Sequence, residues 1–112
     1  PGNRAAPDGA GGMLLYAMNV APEAEAEFNA WYDEEHVPRL LTVPGCLAAR
    51  RFRITSAVSA GNQRHLALYH LESPEVCSSE AWNEAAVTKW TRKMRPHYRD
   101  PLRLTLRAYR SN

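Results

Sequence analysis

The chain has 112 residues, 45% of them apolar and 23% charged, with a formal net charge of +2. That length suits one domain with its own core and excludes two, and the composition is that of an ordinary globular protein. So small a net charge gives no case for nucleic-acid binding through bulk electrostatics. No apolar run approaches the stretch of about 20 residues that crosses a bilayer.

Residues 1–12 are rich in Gly, Ala and Pro and lack the apolar core of a signal peptide, so they are expected to form a flexible leader, with one folded domain over 13–110. Met13–Val20 is a short apolar run bounded by Gly-Gly and Ala-Pro, which predicts a buried strand. Pro22 followed by Glu23, Glu25 and Glu27 marks a helix start, because proline suits the first turn and acids favour the positive end of the dipole. Pro38 disfavours a helical conformation at Val37, so this helix is expected to end there. Val43-Pro44-Gly45 reads as a turn, Cys46–Ile54 as a strand, Ser56–Gln63 as a loop and Arg64–Leu71 as a third strand closing a hairpin. Ser73-Pro74-Glu75 predicts the capped start of a second helix over about residues 74–93. Arg95-Pro96-His97-Tyr98-Arg99-Asp100 reads as a connection. Pro101–Tyr109, which alternates apolar and polar residues, predicts the last strand.

This order, β-α-β-β-α-β, predicts a ferredoxin-like α+β fold: a four-stranded antiparallel sheet with both helices on one face. In the last strand Leu102, Leu104 and Leu106 share one face, and Arg103, Thr105, Arg107 and Tyr109 share the other. The leucines are expected to meet the helices. The opposite sheet face would be left for solvent or for a second copy of the chain, and a homodimer is expected. Charge is divided along the chain. Residues 1–49 hold two basic and seven acidic side chains, and residues 50–112 hold twelve basic and five acidic. The halves can therefore complement each other within the fold, or the basic half can attract an anion. The two cysteines, Cys46 and Cys77, form no spaced framework, which fits a reduced cytoplasmic protein.

Trp31-Tyr32-Asp33-Glu34-Glu35-His36-Val37-Pro38 concentrates aromatics, acids and a histidine at the end of the first helix. Residues four apart share a helix face, so Phe28, Tyr32 and His36 should form one stripe, with Asp33 and Glu35 turned elsewhere as solvated or salt-bridged groups. The motif W-Y-x-x-x-H-x-P, followed by Pro44-Gly45 before the second strand in a βαββαβ layout, resembles the EthD-like branch of the dimeric α+β barrel superfamily. The resemblance spans Met13–Tyr109. It implies a homodimer whose sheets pair into a barrel, a cavity between each sheet and its helices, and in many members no cofactor. Roles in such families include lactone isomerisation, decarboxylation or dehydration of aromatic polyketides and cofactor-independent oxygenation, so the family implies a cavity and not a reaction.

His36 is the first candidate catalytic residue, as a histidine titrating near neutrality makes a general acid or base. The family's histidine falls on it; the competing reading is a surface histidine capping the helix end. Tyr32 would orient His36 or bind a substrate oxygen, or simply pack on Phe28. His97 would complete a two-histidine site with His36, or Arg95 and Arg99 would hold an anionic group, with Tyr98 in the same cluster; the competing reading is a rigid, charged connection that salt-bridges the acidic first helix. Asn19, with Trp82 or Trp90, would serve substrate or oxygen in a cofactor-independent monooxygenase, the tryptophans otherwise being core. His65 and His70 lie on opposite strand faces by parity. With no H-x-x-x-H or C-x-x-C pairing, no metal site is expected. The exposed-aromatic pattern of an RNA-binding sheet is missing as well. The favoured expectation is cofactor-free acid/base chemistry of isomerase, lyase, dehydratase or decarboxylase type on an aromatic or polyketide-like carbonyl compound. The alternatives are a cofactor-independent monooxygenase and a non-catalytic small-ligand-binding dimer.

Overall fold

A computed structural model describes residues 7–55 and 62–109 of the chain. Most of the loop expected over Ser56–Gln63 and half of the expected leader therefore lie outside the described residues. Four strands, β1 (Gly12–Val20), β2 (Cys46–Arg53), β3 (His65–Leu71) and β4 (Tyr98–Arg107), form an antiparallel sheet in the order β2-β3-β1-β4. The helices pack on one face, giving the ferredoxin-like α+β architecture expected from the element order.

The first helix differs from expectation at its end. Helix α1 (Glu25–Trp31) does not stop at Val37 but runs through a π-turn over Tyr32–His36 into a further α-helical segment, α2 (Val37–Leu40). Proline inside a helix lacks an N–H and clashes with the carbonyl four residues back, here that of Glu34. The π-turn widens the backbone at that point, with the Val37 N–H donating to the carbonyl of Tyr32 five residues back. The extra residue absorbs Pro38, and Leu40 becomes fully buried core.

The second helix is also not one piece. Pro74–Ser78 forms a 3₁₀ turn, α3 covers Glu80–Ala86, and α4 covers Lys89–Met94. Ser73 makes no side-chain cap; Ser79 does so for α3, accepting from the Trp82 N–H, and Thr88 does so for α4, accepting from the Thr91 N–H. The carbonyls left over where α3 ends are met by side chains: Arg39 donates to Glu84 and Ala85, and the Thr91 hydroxyl to Ala86.

Between the layers Phe28, Trp31, Leu14, Met18, Leu40, Tyr69, Leu71 and Met94 are fully enclosed, each such burial contributing about 1.5–3 kcal/mol. The two charge-divided halves meet within the chain. Asp33 pairs with Arg51 at 2.9 Å, Glu27 with Lys93 at 2.8 Å and Glu25 with His65 at 3.0 Å.

The register of β4 reverses one expectation. Leu104 pairs with Leu15 and Leu106 with Met13, on the sheet face away from the helices, where Leu102, Leu104 and Leu106 are 43–45% exposed. Arg103 and Arg107 instead face the helix layer, donating to the Cys77 carbonyl and to Glu75. Strict alternation fixes which residues share a face but not which face is covered. β4 also begins earlier than expected, at Tyr98, which pairs with Val20 beyond a bulge between Ala17 and Asn19. Opposite that bulge Asp100 takes a left-handed φ of 53°.

Candidate functional site

A cavity of about 540 Å³ lies between the sheet and the split second helix. Its buried lining includes Leu14, Leu40 and Tyr69 with Trp82, Thr91 and His36, and its exposed lining, which marks the mouth, includes Ser78, Glu80, Asn83, Arg95 and Arg103. Tyr16 and Tyr98 supply further phenols to the wall. The cavity exists because the helix is interrupted: Ala86 and Val87, at the end of α3, and Thr91, in α4, all line it. Its size falls within the range of small-molecule sites.

His36 reaches this wall from the π-turn. Its ring stacks on Trp31 at 4.3 Å between centroids with 30° between planes, and Tyr32 meets it edge-on at 5.3 Å. In an unbroken α-helix residues five apart point about 140° away from each other, so the π-turn is what brings Trp31 under His36. Trp31 is anchored in turn, its indole N–H donating to Thr91 Oγ1 at 3.3 Å. Thr91 lies 3.0 Å from the Thr88 hydroxyl, which donates to Glu35. Glu35 is therefore neither free in solvent nor salt-bridged but ties the π-turn to α4. His36 is only 8% exposed, which removes the reading as a surface cap. Its Nδ1 is buried with no hydrogen-bond partner among the described residues. Burial, and secondarily the charge of Arg95, push its pKa down to about 4, so the ring is neutral at physiological pH.

The phenols behave in the opposite sense. Burial raises the pKa of Tyr69 and Tyr98 well above the usual tyrosine value, with neighbouring phenols adding to the effect. Both therefore remain hydrogen-bond donors at any physiological pH. The Tyr69 hydroxyl is buried without a partner among the described residues. The Trp82 ring stands edge-on to Tyr69 at 5.3 Å.

Of the residues singled out in the sequence, His36, Trp82, Arg95 and Tyr98 line the cavity together. Tyr32 is buried behind His36, packed against Phe28 with the Arg51 guanidinium 4.6 Å from its ring centre, and does not line the cavity. His97 is partly exposed, off the wall, and its carbonyl accepts from the Ala21 N–H. Trp90 is partly buried against the core, off the cavity wall, and donates to Glu27 at 3.1 Å. Asn19 lies by a smaller pocket near Arg64 and His65, its amide donating to the Asn62 carbonyl and its oxygen accepting from the Arg64 N–H. Arg99 folds back onto the carbonyls of Pro96 and Tyr98.

Tyr16, Tyr69 and Arg103 line the cavity without having stood out in the sequence. Tyr16 and Arg103 are direct cross-strand partners, and Tyr69 pairs with Leu14. Alternation along β1, β3 and β4 groups them correctly once the covered face is known. Cys77 sits in the 3₁₀ turn ahead of α3, its thiol donating to the Pro74 carbonyl, and Cys46 is half-buried with its thiol pKa pushed up to about 11 by burial. Among the described residues no group of three or more His, Cys, Asp or Glu side chains is placed to hold a metal ion.

Solved structures with the same fold are numerous at low identity. One described as an antibiotic biosynthesis monooxygenase is 18% identical, covering 88% of this chain and 99% of its own, with a TM-score of 0.59. SnoaB, a cofactor-independent oxygenase from Streptomyces nogalater, is 10% identical with coverage of 91% and 96% and a TM-score of 0.61. An EthD family protein from Bacillus halodurans is 14% identical with coverage of 88% and 99% and a TM-score of 0.52. These likenesses establish the fold and agree with the resemblance read from the helix-one motif. No curated protein matches the chain. Residues 13–105 match the model of a domain of unknown function, DUF4286, and the chain belongs to that family.

Proposed function

We propose that the protein is a small-molecule enzyme that moves a proton on an aromatic or polyketide-like carbonyl compound without a cofactor. The observation that carries this reading is His36: buried, neutral and set into a cavity wall that also presents the Tyr98 and Tyr16 phenols. In the proposed step the neutral imidazole accepts a proton from carbon next to the substrate carbonyl or joined to it through a fused aromatic ring, and a phenol donates to the oxygen as it becomes an enolate or phenolate. A base of such low proton affinity needs an already acidic C–H. Ketones whose enolates are aromatic supply one, because aromatisation stabilises the anion. Leu14, Leu40 and Trp82 offer the apolar surface that ring systems of this kind require.

The likeness to a cofactor-independent oxygenase supports a second reading, in which the same carbanion reacts with oxygen. The two separate on one compound. Anthrone, a tricyclic ketone with an acidic methylene, is incubated with the protein in deuterated buffer, with and without oxygen. The proposal expects deuterium to enter the methylene faster than in buffer alone, with no uptake of oxygen. One oxygen molecule consumed per anthrone, giving anthraquinone and water, would transfer the reading to the oxygenase. Exchange at the buffer rate and no oxygen uptake would count against both and favour a non-catalytic ligand-binding protein.

The open sheet face supports the homodimer implied by the family resemblance. Phe52, Leu66, Ala17 and Leu102 form one cross-sheet row, and Arg50, Leu68, Leu15 and Leu104 a second. A largely apolar surface of this kind, with Arg50 at its β2 edge, marks an association site, and we propose that a second copy covers it. A cytoplasmic setting suits the two free thiols, Cys46 and Cys77.

A further inference from the structure

We propose that the substrate carries a carboxylate, bound at the mouth of the cavity by Arg95 and Arg103, on an apolar ring system directed inward to Trp82 and Tyr69. The inference deepens the acid/base reading above and rests on it.

Arg95 follows α4 and Arg103 lies on β4, so two separate elements bring a guanidinium to the same opening. Elsewhere the cations that touch the acidic first helix are satisfied: Arg51 holds Asp33 and Asn29, and Lys93 holds Glu27. Arg107, four residues beyond Arg103 along β4, holds Glu75. At the cavity the pattern breaks. Among the described residues the Arg95 side chain donates no hydrogen bond and joins no ion pair, and the Arg103 side chain makes a single long bond of 3.4 Å to the Cys77 carbonyl. Glu80 is the one carboxylate in the lining, and it is exposed and unpaired among the described residues. The mouth therefore presents two guanidinium groups against one carboxylate. A guanidinium matches a carboxylate in shape and charge, and two from separate elements fix its position as well as its sign.

The arrangement has a chemical consequence at His36. The charge of Arg95 is one of the two causes that hold its imidazole unprotonated. A carboxylate seated on Arg95 offsets that charge and raises the proton affinity of the base as the substrate arrives. Binding and base strength are then coupled through one residue. An anionic substrate would strengthen its own base, and a neutral analogue would not.

The test compares two compounds on one ring system, 1-hydroxy-2-naphthoate and 1-naphthol, by titration calorimetry at pH 7. The naphthoate is expected to bind at least about ten-fold more tightly. Arg95→Gln and Arg103→Gln should each weaken the naphthoate about ten-fold and leave 1-naphthol within about two-fold. Arg95→Lys, which keeps the charge and loses the fork, should retain part of the preference, with circular dichroism checking that all three variants fold. In the wild type, naphthoate should move the NMR titration of His36 to higher pH, and in Arg95→Gln it should not. Equal affinity for both compounds, a naphthoate preference indifferent to both glutamine variants, or binding of neither compound would overturn the proposal. Anthrone is uncharged, so deuterium exchange without naphthoate preference would sink the carboxylate site and leave the acid/base reading standing. A naphthoate preference without exchange would do the reverse.

Discussion

The Trp31 ring centre lies 4.3 Å from that of His36, tilted by 30°, although the two residues are five positions apart on one helix. This stack depends on the π-turn that accommodates Pro38, and it joins the core to the candidate base. Trp31 is 1% exposed and hydrogen-bonded to Thr91. Trp31→Ala should therefore cost about 3–5 kcal/mol. Trp31→Phe, which keeps a ring under His36 but loses the Thr91 bond, should cost far less and preserve any activity. Urea denaturation followed by circular dichroism measures both.

The neutral state of His36 predicts how stability depends on pH. Its pKa is lowered from 6.5 to about 4 in the folded protein. The unfolded chain binds this proton more tightly, so the contribution is fully present above pH 6.5, declines as pH falls toward 4 and levels off below. For a group this buried the loss is about 3 kcal/mol. His65, also lowered chiefly by burial, adds to the same window. Urea midpoints measured from pH 7 to pH 4 should fall, and His36→Gln should flatten the slope without abolishing it.

Gly12 opens β1 where the chain crosses the 3₁₀ turn after β3. A Cβ there would stand 2.5 Å from the Pro74 nitrogen and 2.8 Å from the Ser73 carbonyl carbon, neither of which can swing away like a side chain. Gly12→Ala should destabilise by about 1–3 kcal/mol, seen as a lower thermal midpoint.

Local pattern was sufficient for the first three strands, because alternation and turn residues are short-range signals, whereas β4 starts inside the expected connection, at Tyr98. Cys46 and Leu71 sit at the start and end of the strands expected there. The breaks in the helices were not legible in the same way. Pro38 signals a helix end by its local chemistry, yet the burial of Trp31, His36 and Leu40 outweighs it and the backbone inserts a residue instead. Thr88 caps α4 from inside what reads as one helix, and the carbonyls released by that break are satisfied by Arg39 from a distant segment. The leucines of β4 failed for a related reason. With apolar residues on both sheet faces, only the pairing of Leu104 with Leu15 reveals which face the helices cover. At the site, the helix-one motif gave His36, but Tyr16 and Arg103 converge on it only through sheet pairing.

The open face yields its own test. Leu104 is 45% exposed at the end of a row containing Leu15 and Leu68. If a second copy covers it, sedimentation equilibrium should give a dimer, and Leu104→Glu should give a folded monomer by leaving a charge in an apolar interface. A monomeric wild type would reject the pairing and leave the cavity reading untouched.

The central claim is that His36 is the base in this cavity, and the deuterium-exchange rate of anthrone in the wild type and in His36→Gln tests it most directly. Positioned general bases contribute about a hundred-fold or more. The variant is expected to lose the acceleration to at least that extent while keeping the circular dichroism spectrum of the wild type. A folded His36→Gln protein that exchanges the methylene proton as fast as the wild type would contradict the account.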